Sequence, residues 1–144
     1  MNNPFTILLA EDDLDDQYLM KEAFKKIDAA IEIKIVSNGR EAIKYLLSAS
    51  DKELPCLIVL DYNMPEATGV EVLQKISDDK RLSAIPKIVL STSSSVNNIN
   101  ECLTRGANAY MIKPALFNDL VKIAHQMLEM CGTTDNANVQ LNKA

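Results

Sequence analysis

A single doubly wound (βα)5 domain of the α/β class, its parallel five-stranded sheet covered by helices on both faces, is predicted by three features of the sequence. Short apolar runs alternate five times with stretches that follow the 3.6-residue helical period. Runs such as Leu57-Ile58-Val59-Leu60 lack polar alternation, as strands buried on both faces require. With 144 residues and 47% hydrophobic content, one domain can bury roughly 70% of its unfolded surface without metal or disulfide support.

The first run, Phe5 to Ala10, leads into a helical pattern ending near Ile27, with Met20, Phe24 and Ile27 on one face. Ile31 to Val36 precedes a helix to about Leu47, and Cys56 to Leu60 one to about Ile76. Asn38 with Glu41, and Thr68 with Glu71, have the spacing of capping boxes at these two helix starts. Ile85 to Leu90 leads to a helix closing near Arg105, where Gly106 fits a C-terminal cap. Ala109 to Ile112 leads to the last helix, ending near Met130, with Leu116, Leu120, Ala124 and Leu128 on its inner face. Right-handed crossovers leave few topologies for such a chain, and the flavodoxin-like order 2-1-3-4-5 is the one expected. The domain is assigned to residues 1–131. The remaining GTTDNANVQLNKA, residues 132–144, is polar and aperiodic and is expected to be a flexible tail.

The net charge of -5 is concentrated: Glu11, Asp12, Asp13, Asp15 and Asp16 hold five of the 20 acids, and the rest of the chain balances at 15 against 15 bases. With no basic block and a pI near 4.9, neither direct nucleic-acid binding nor attachment to an anionic membrane is expected. Cys56, Cys102 and Cys131 are odd in number and widely spaced, which reads as reduced, mostly buried thiols. Without a leader or a membrane-length apolar run, the expected compartment is the cytoplasm.

Open α/β sheets bind ligands at the carboxyl ends of their strands, near the point where strand order reverses. Strand 1 ends into Glu11 and Asp12, strand 3 into Asp61, strand 4 into Ser91 and strand 5 into Lys113. Carboxylates gathered at one edge repel unless a cation joins them, and oxygen donors suit Mg²⁺, with Mn²⁺ a substitute. Asp61 can act as a nucleophile toward phosphorus, with Lys113 as point charge and Ser91 as hydroxyl donor. Asp13, Asp15 and Asp16 lie beyond the strand, where acids commonly decorate a helix start. Tyr110, in strand 5, is open to a plain packing role.

The stretches Ile7 to Asp12, Leu60-Asp61-Tyr62-Asn63-Met64-Pro65 with Gly69, Ser91, and Gly106 to Pro114 together resemble the receiver domain of two-component response regulators, over about residues 5 to 130. The resemblance implies that Asp61 accepts a phosphoryl group from a sensor histidine kinase or a histidine phosphotransfer protein. It implies Mg²⁺ bound by Asp12, Asp61 and the backbone carbonyl of Asn63, with Glu11 completing the acidic pocket where the family more often has Asp. Lys113 matches the family's lysine, and a cis peptide bond to Pro114 is implied. Ser91 and Tyr110 would be the switch residues, and helix 4, opening with Ser93-Ser94-Ser95-Val96-Asn97-Asn98, the mobile element. The chain is similar to stand-alone receivers, including those paired with phytochrome-like sensor histidine kinases. Its output would then reach a downstream protein target in trans, and a homodimer stays open.

Two other readings compete. A phosphohydrolase of the haloacid dehalogenase type needs a second Asp two positions after its nucleophile. Asp61-Tyr62-Asn63 lacks it, and Asp13-Leu14-Asp15 is displaced from the strand end. A receiver-like interaction protein without phosphorylation would not need the full set of Glu11, Asp12, Asp61, Ser91 and Lys113. Four glycines and no Gly-rich turn after strand 1 exclude a dinucleotide cradle.

Overall fold

The computed structural model describes residues 5–131; the expected tail at 132–144 lies outside the described residues. Its strands are β1 (Thr6–Ala10), β2 (Glu32–Val36), β3 (Leu57–Asp61), β4 (Lys87–Ser91) and β5 (Ala109–Ile112). The helices between and after them are α1 (Leu14–Ile27), α2 (Gly39–Ser48), α3 (Gly69–Ile76), α4 (Val96–Thr104) and α5 (Phe117–Met130). All strand pairs are parallel and the order is β2-β1-β3-β4-β5, as expected. Among the described residues no helix is long and apolar enough to cross a membrane.

Successive strand residues feed two separate cores. Ile7, Leu9, Val59 and Leu90 pack with Met20, Phe24, Ala124 and Met127 under α1 and α5. Leu8, Ala10, Ile58 and Leu60 pack with Ala42, Leu46, Leu73 and Ile76 under α2 and α3. A strand with a core on each side has no solvent face to mark with polar residues. The exception is β2, an edge strand, where Glu32 and Lys34 are exposed and the Lys34 ammonium lies 5.6 Å from the centre of the Tyr45 ring.

Helix ends follow local chemistry. The Thr68–Glu71 box closes reciprocally, with bonds of 3.2 and 2.8 Å. At Asn38 only half of the expected box forms: Asn38 Oδ1 accepts from the Glu41 N–H at 2.8 Å, but Glu41 Oε1 accepts from Ser37 instead. Gly106, with φ 116°, ends α4 in a Schellman arrangement: its N–H donates to Leu103 and that of Ala107 to Cys102. Two single 3₁₀ turns, Asp51–Glu53 and Lys80–Leu82, were not expected from the sequence. The first carries a further capping box, Ser50 with Glu53.

Gly39 opens α2 against the loop that follows β3, and a Cβ there would overlap the carbonyl oxygen of Ala67. Gly39→Ala should therefore destabilise the fold by about 1–3 kcal/mol through displacement of this loop. Urea unfolding monitored by circular dichroism would reveal the lower midpoint.

Candidate phosphoacceptor site

The parallel register brings the carboxyl ends of β1, β3 and β4 level: Ala10 pairs with Leu60, and Asp61 with Leu90. Glu11 is fixed by its own backbone, its N–H donating to Val36 and its carbonyl accepting from the Gln17 side chain at 2.7 Å. Its side chain is buried, Asp61 is nearly so, and Asp12 is exposed. One carboxylate oxygen from each of Glu11, Asp12 and Asp61 lies within 4.8 Å of the others.

Lys113 enters from the end of β5 and faces this cluster. Its Nζ stands 3.0 Å from Glu11 Oε1, 3.0 Å from Asp16 Oδ2 and 3.3 Å from Asp61 Oδ1. Its backbone N–H donates to the Ser91 carbonyl at 2.8 Å, tying the ends of β4 and β5. The bond to Pro114 is trans, contrary to expectation, because no described peptide bond is cis. Proline narrows the trans preference to about 0.5–1 kcal/mol without reversing it, and the trans chain already delivers the ammonium to three carboxylates.

Asp16 is the residue that sequence reasoning placed elsewhere. Asp13 caps α1, its side chain accepting from the Asp16 N–H at 3.0 Å. That cap sets the rotation of the first turn, so that Asp16 faces Lys113 while Asp15 remains exposed. The signal available was the three-residue step from the capping Asp13 to Asp16. Gln17, on the same turn, likewise had no predicted role.

Burial raises the Glu11 pKa to about 7, with the Asp61 charge adding to it and Lys113 opposing it. Asp61 is also raised, by burial above all, against the lowering effect of Lys113. For Lys113, burial acts downward but is outweighed by Asp16, Glu11 and Asp61, so it is held protonated. Three carboxylates thus face one ammonium, Asp12 joins two of them in the cluster, and a hard divalent cation with oxygen preference fits the surplus.

A raised carboxyl pKa costs the fold stability as pH rises from its unfolded to its folded value. Glu11→Gln removes that cost. In chelator, the variant should gain roughly 2–4 kcal/mol over the parent between about pH 4.5 and 7, with no further gain above, at ~1.36 kcal/mol per pKa unit. Chemical denaturation of both proteins across this pH range checks the window and its sign.

On the other side of Asp61 lies a chain of hydrogen bonds. Ser91, buried, accepts through Oγ from the Ser93 N–H at 3.0 Å. The Ser93 carbonyl accepts from the Tyr110 hydroxyl at 2.8 Å, and Ser93 Oγ from the Asn98 amide at 3.1 Å. Asn98 in turn accepts from the hydroxyl of Tyr62, the residue after Asp61, at 3.1 Å. Tyr110 is therefore not merely packed: it is bonded to the loop that carries Ser91. Asn63 is exposed, two residues past Asp61.

Known proteins share this fold. A family model described as response regulator receiver domain matches residues 7–125. Among curated relatives, the probable methanogenesis regulatory protein FilR2 of Methanothrix harundinacea is 34% identical over 129 residues, spanning 88% of this chain and 83% of that protein. Response regulator Rcp1 of Synechocystis sp. is 34% identical over 125 residues, 85% of each chain. Its Mn²⁺-bound crystal structure superposes with a TM-score of 0.74 at 33% identity, covering 84% of this chain and 89% of that one. The phosphorylated cyanobacterial phytochrome response regulator RcpA superposes with a TM-score of 0.81 at 33% identity, covering 92% and 96%. With the expected strand order, acidic residues at the strand ends and a family match over most of its length, the chain belongs to the response regulator receiver domain family.

Proposed function

We propose that Asp61 accepts a phosphoryl group from the phosphohistidine of a sensor histidine kinase or histidine phosphotransfer protein, and that the chain signals to a protein target in trans. The observation that carries this reading is Lys113 Nζ held 3.3 Å from Asp61 at the edge of the Glu11–Asp12–Asp61 cluster. The metal would be held by Asp12, Asp61 and the Asn63 carbonyl, with Glu11 lining the pocket. Mg²⁺, or Mn²⁺ in its place, would neutralise charge on the transferred group. The Mn²⁺-bound form of Rcp1 supports that choice of ion.

An Asp61 carboxylate oxygen forms the new P–O bond as the P–N bond breaks, and the electron pair leaves with the imidazole nitrogen. Lys113 balances charge on the phosphoryl oxygens as an already protonated, positioned ammonium. The Ser91 hydroxyl, an acceptor from Ser93 in this structure, has a proton to donate to a phosphoryl oxygen. The product brings about -1.5 to -2 charge beside Ser91 and Lys113, favouring whichever loop arrangement bonds it. Because Ser93 is bonded to Tyr110 and Asn98, rearrangement at Ser91 is felt at α4 and β5. Loss of the group to water returns the site, so the chain turns over only its own acyl phosphate. Partners are proteins in the cytoplasm, with no nucleic acid or membrane required.

Phosphoramidate, a small P–N donor, tests this. With Mg²⁺ it should leave one hydroxylamine-sensitive phosphoryl adduct per chain, and none in chelator. Steady release of inorganic phosphate with no adduct would instead favour a hydrolase.

A further inference from the structure

Tyr62, the residue after Asp61, is held by both of its backbone polar groups. Its N–H donates to the Leu90 carbonyl at 3.1 Å, and its carbonyl accepts from the Gly69 N–H at 2.9 Å. Gly69 permits that approach, since a Cβ there would come within 2.8 Å of the Asp61 carbonyl oxygen. The Tyr62 ring packs at the edge of the core under α2 and α3. Backbone and ring thus aim the hydroxyl at a fixed point on α4, where it donates to Asn98 Oδ1 at 3.1 Å. With Oδ1 taken by that hydroxyl, the Asn98 amide presents its donors to Ser93, and Nδ2 meets Ser93 Oγ at 3.1 Å.

Ser93 is pinned from three sides. Its Oγ also accepts from the Ser95 N–H at 3.1 Å, so Asn98 and Ser95 use both acceptor positions of this hydroxyl. Its carbonyl accepts from Tyr110 at 2.8 Å, and its N–H donates to Ser91 Oγ at 3.0 Å. Ser91 is buried, and its own carbonyl accepts from the Lys113 N–H. An N–H seated on Ser91 Oγ occupies a lone pair and leaves the hydroxyl proton as the group to be offered elsewhere. Apolar packing holds the start of α4 only weakly: Val96 is 67% exposed, and Cys102, the buried residue of the helix, lies in its second turn. Polar bonds through Asn98 therefore fix where Ser93 and the first turn of α4 sit.

We propose that Tyr62 and Asn98 are positioning residues for phosphoryl transfer: they hold Ser93, and through its N–H the Ser91 hydroxyl, in the orientation that donates to a phosphoryl oxygen at Asp61. This role rests on the proposed function of Asp61. The Ser91 proton is shared in a hydrogen bond and stays on Ser91. The acidic cluster consists of Glu11, Asp12 and Asp61, and Lys113 is bonded to Glu11, Asp16 and Asp61. Loss of the Tyr62 hydroxyl therefore changes the aim of Ser91 without removing a charge or a ligand from the pocket. Without the tie, Ser91 must be ordered during the transfer itself, and the rate falls accordingly.

The test uses the full chain with phosphoramidate and Mg²⁺, reading the rate of adduct formation by intact mass. Tyr62→Phe keeps the ring and loses only the hydroxyl, whereas Asn98→Ala removes the amide from a helix that alanine favours. Each should slow adduct formation about three- to tenfold, the worth of one hydrogen bond. The double variant should be little slower than Asn98→Ala, because both substitutions act through Asn98. Mg²⁺ affinity, measured by titration, should be unchanged. In a Ser91→Ala background, Tyr62→Phe should have no further effect, since no hydroxyl remains to be aimed. If one single variant does not fold, the other decides. Equal rates for the parent and the variants overturn this proposal while leaving Asp61 as phosphoacceptor. A slowing that persists undiminished in Ser91→Ala, or that comes with weaker Mg²⁺ binding, overturns it too, because the tie would then act through something other than Ser91. Absence of adduct from the parent overturns the proposed function, and this role with it.

Discussion

Lys113→Met should weaken the chelator-treated protein by about 3–5 kcal/mol at neutral pH, the cost of removing one partner from a buried charge cluster. Methionine keeps an unbranched apolar stem but leaves Glu11, Asp16 and Asp61 without the ammonium that stands within 3.3 Å of each. The Lys113 side chain is 16% exposed and that of Glu11 4%, so solvent screens this cluster far less than a surface pair. The pH dependence carries the sign. Glu11 and Asp61 already have raised pKa values with Lys113 opposing the rise, so its loss raises them further. Protonated carboxyls do not need the cation, and most of the lost stability should return near pH 4.5–5. Mg²⁺ should also restore stability at neutral pH, and it should bind the variant more tightly than the parent. Urea unfolding at both pH values, with and without Mg²⁺, reads all of this. A loss below about 1 kcal/mol at neutral pH would mean that Lys113 is solvated rather than part of the cluster.

Asp61→Asn should abolish acyl-phosphate formation, by at least about a hundredfold in adduct yield, since the amide has no anionic oxygen to attack phosphorus. The same substitution removes a buried carboxylate whose charge raises Glu11. In chelator at neutral pH the variant should therefore be at least as stable as the parent. Opposite signs on chemistry and stability separate a lost nucleophile from a damaged fold. Adduct measured by intact mass, beside thermal melts of the same samples, gives both readouts. A variant that lost both together would show that Asp61 is needed by the fold first.

The architecture was legible because parallel strands between two helical layers leave a plain mark. β1, β3 and β4 are apolar on both sides, and α1 to α4 each begin or end on a local signal such as Asp13, Thr68 or Gly106. The strand-end residues were legible for the same reason, since register alone places Glu11, Asp61 and Ser91 at one edge. What was not legible depended on rotation or on distance. Asp16 and Asp15 are neighbours with the same side chain, and only the Asp13 cap decides which one meets Lys113. The Tyr110 to Ser93 bond joins residues 17 apart, and the Tyr62 to Asn98 bond joins residues 36 apart. Neither has a sequence period to announce it. The Lys113–Pro114 isomer turns on an energy difference too small for residue identity to decide.

The most direct test of the central claim is to locate the phosphoryl group. The chain is treated briefly with acetyl phosphate and Mg²⁺, any acyl phosphate is reduced with borohydride to the alcohol, and the digested peptides are mapped. The reading given above expects reduction at Asp61 alone, dependent on Mg²⁺ and absent from samples treated with chelator. Reduction at Asp12, Asp13 or Asp16 with Asp61 intact, or phosphate turnover that leaves every carboxylate unreduced, would contradict it.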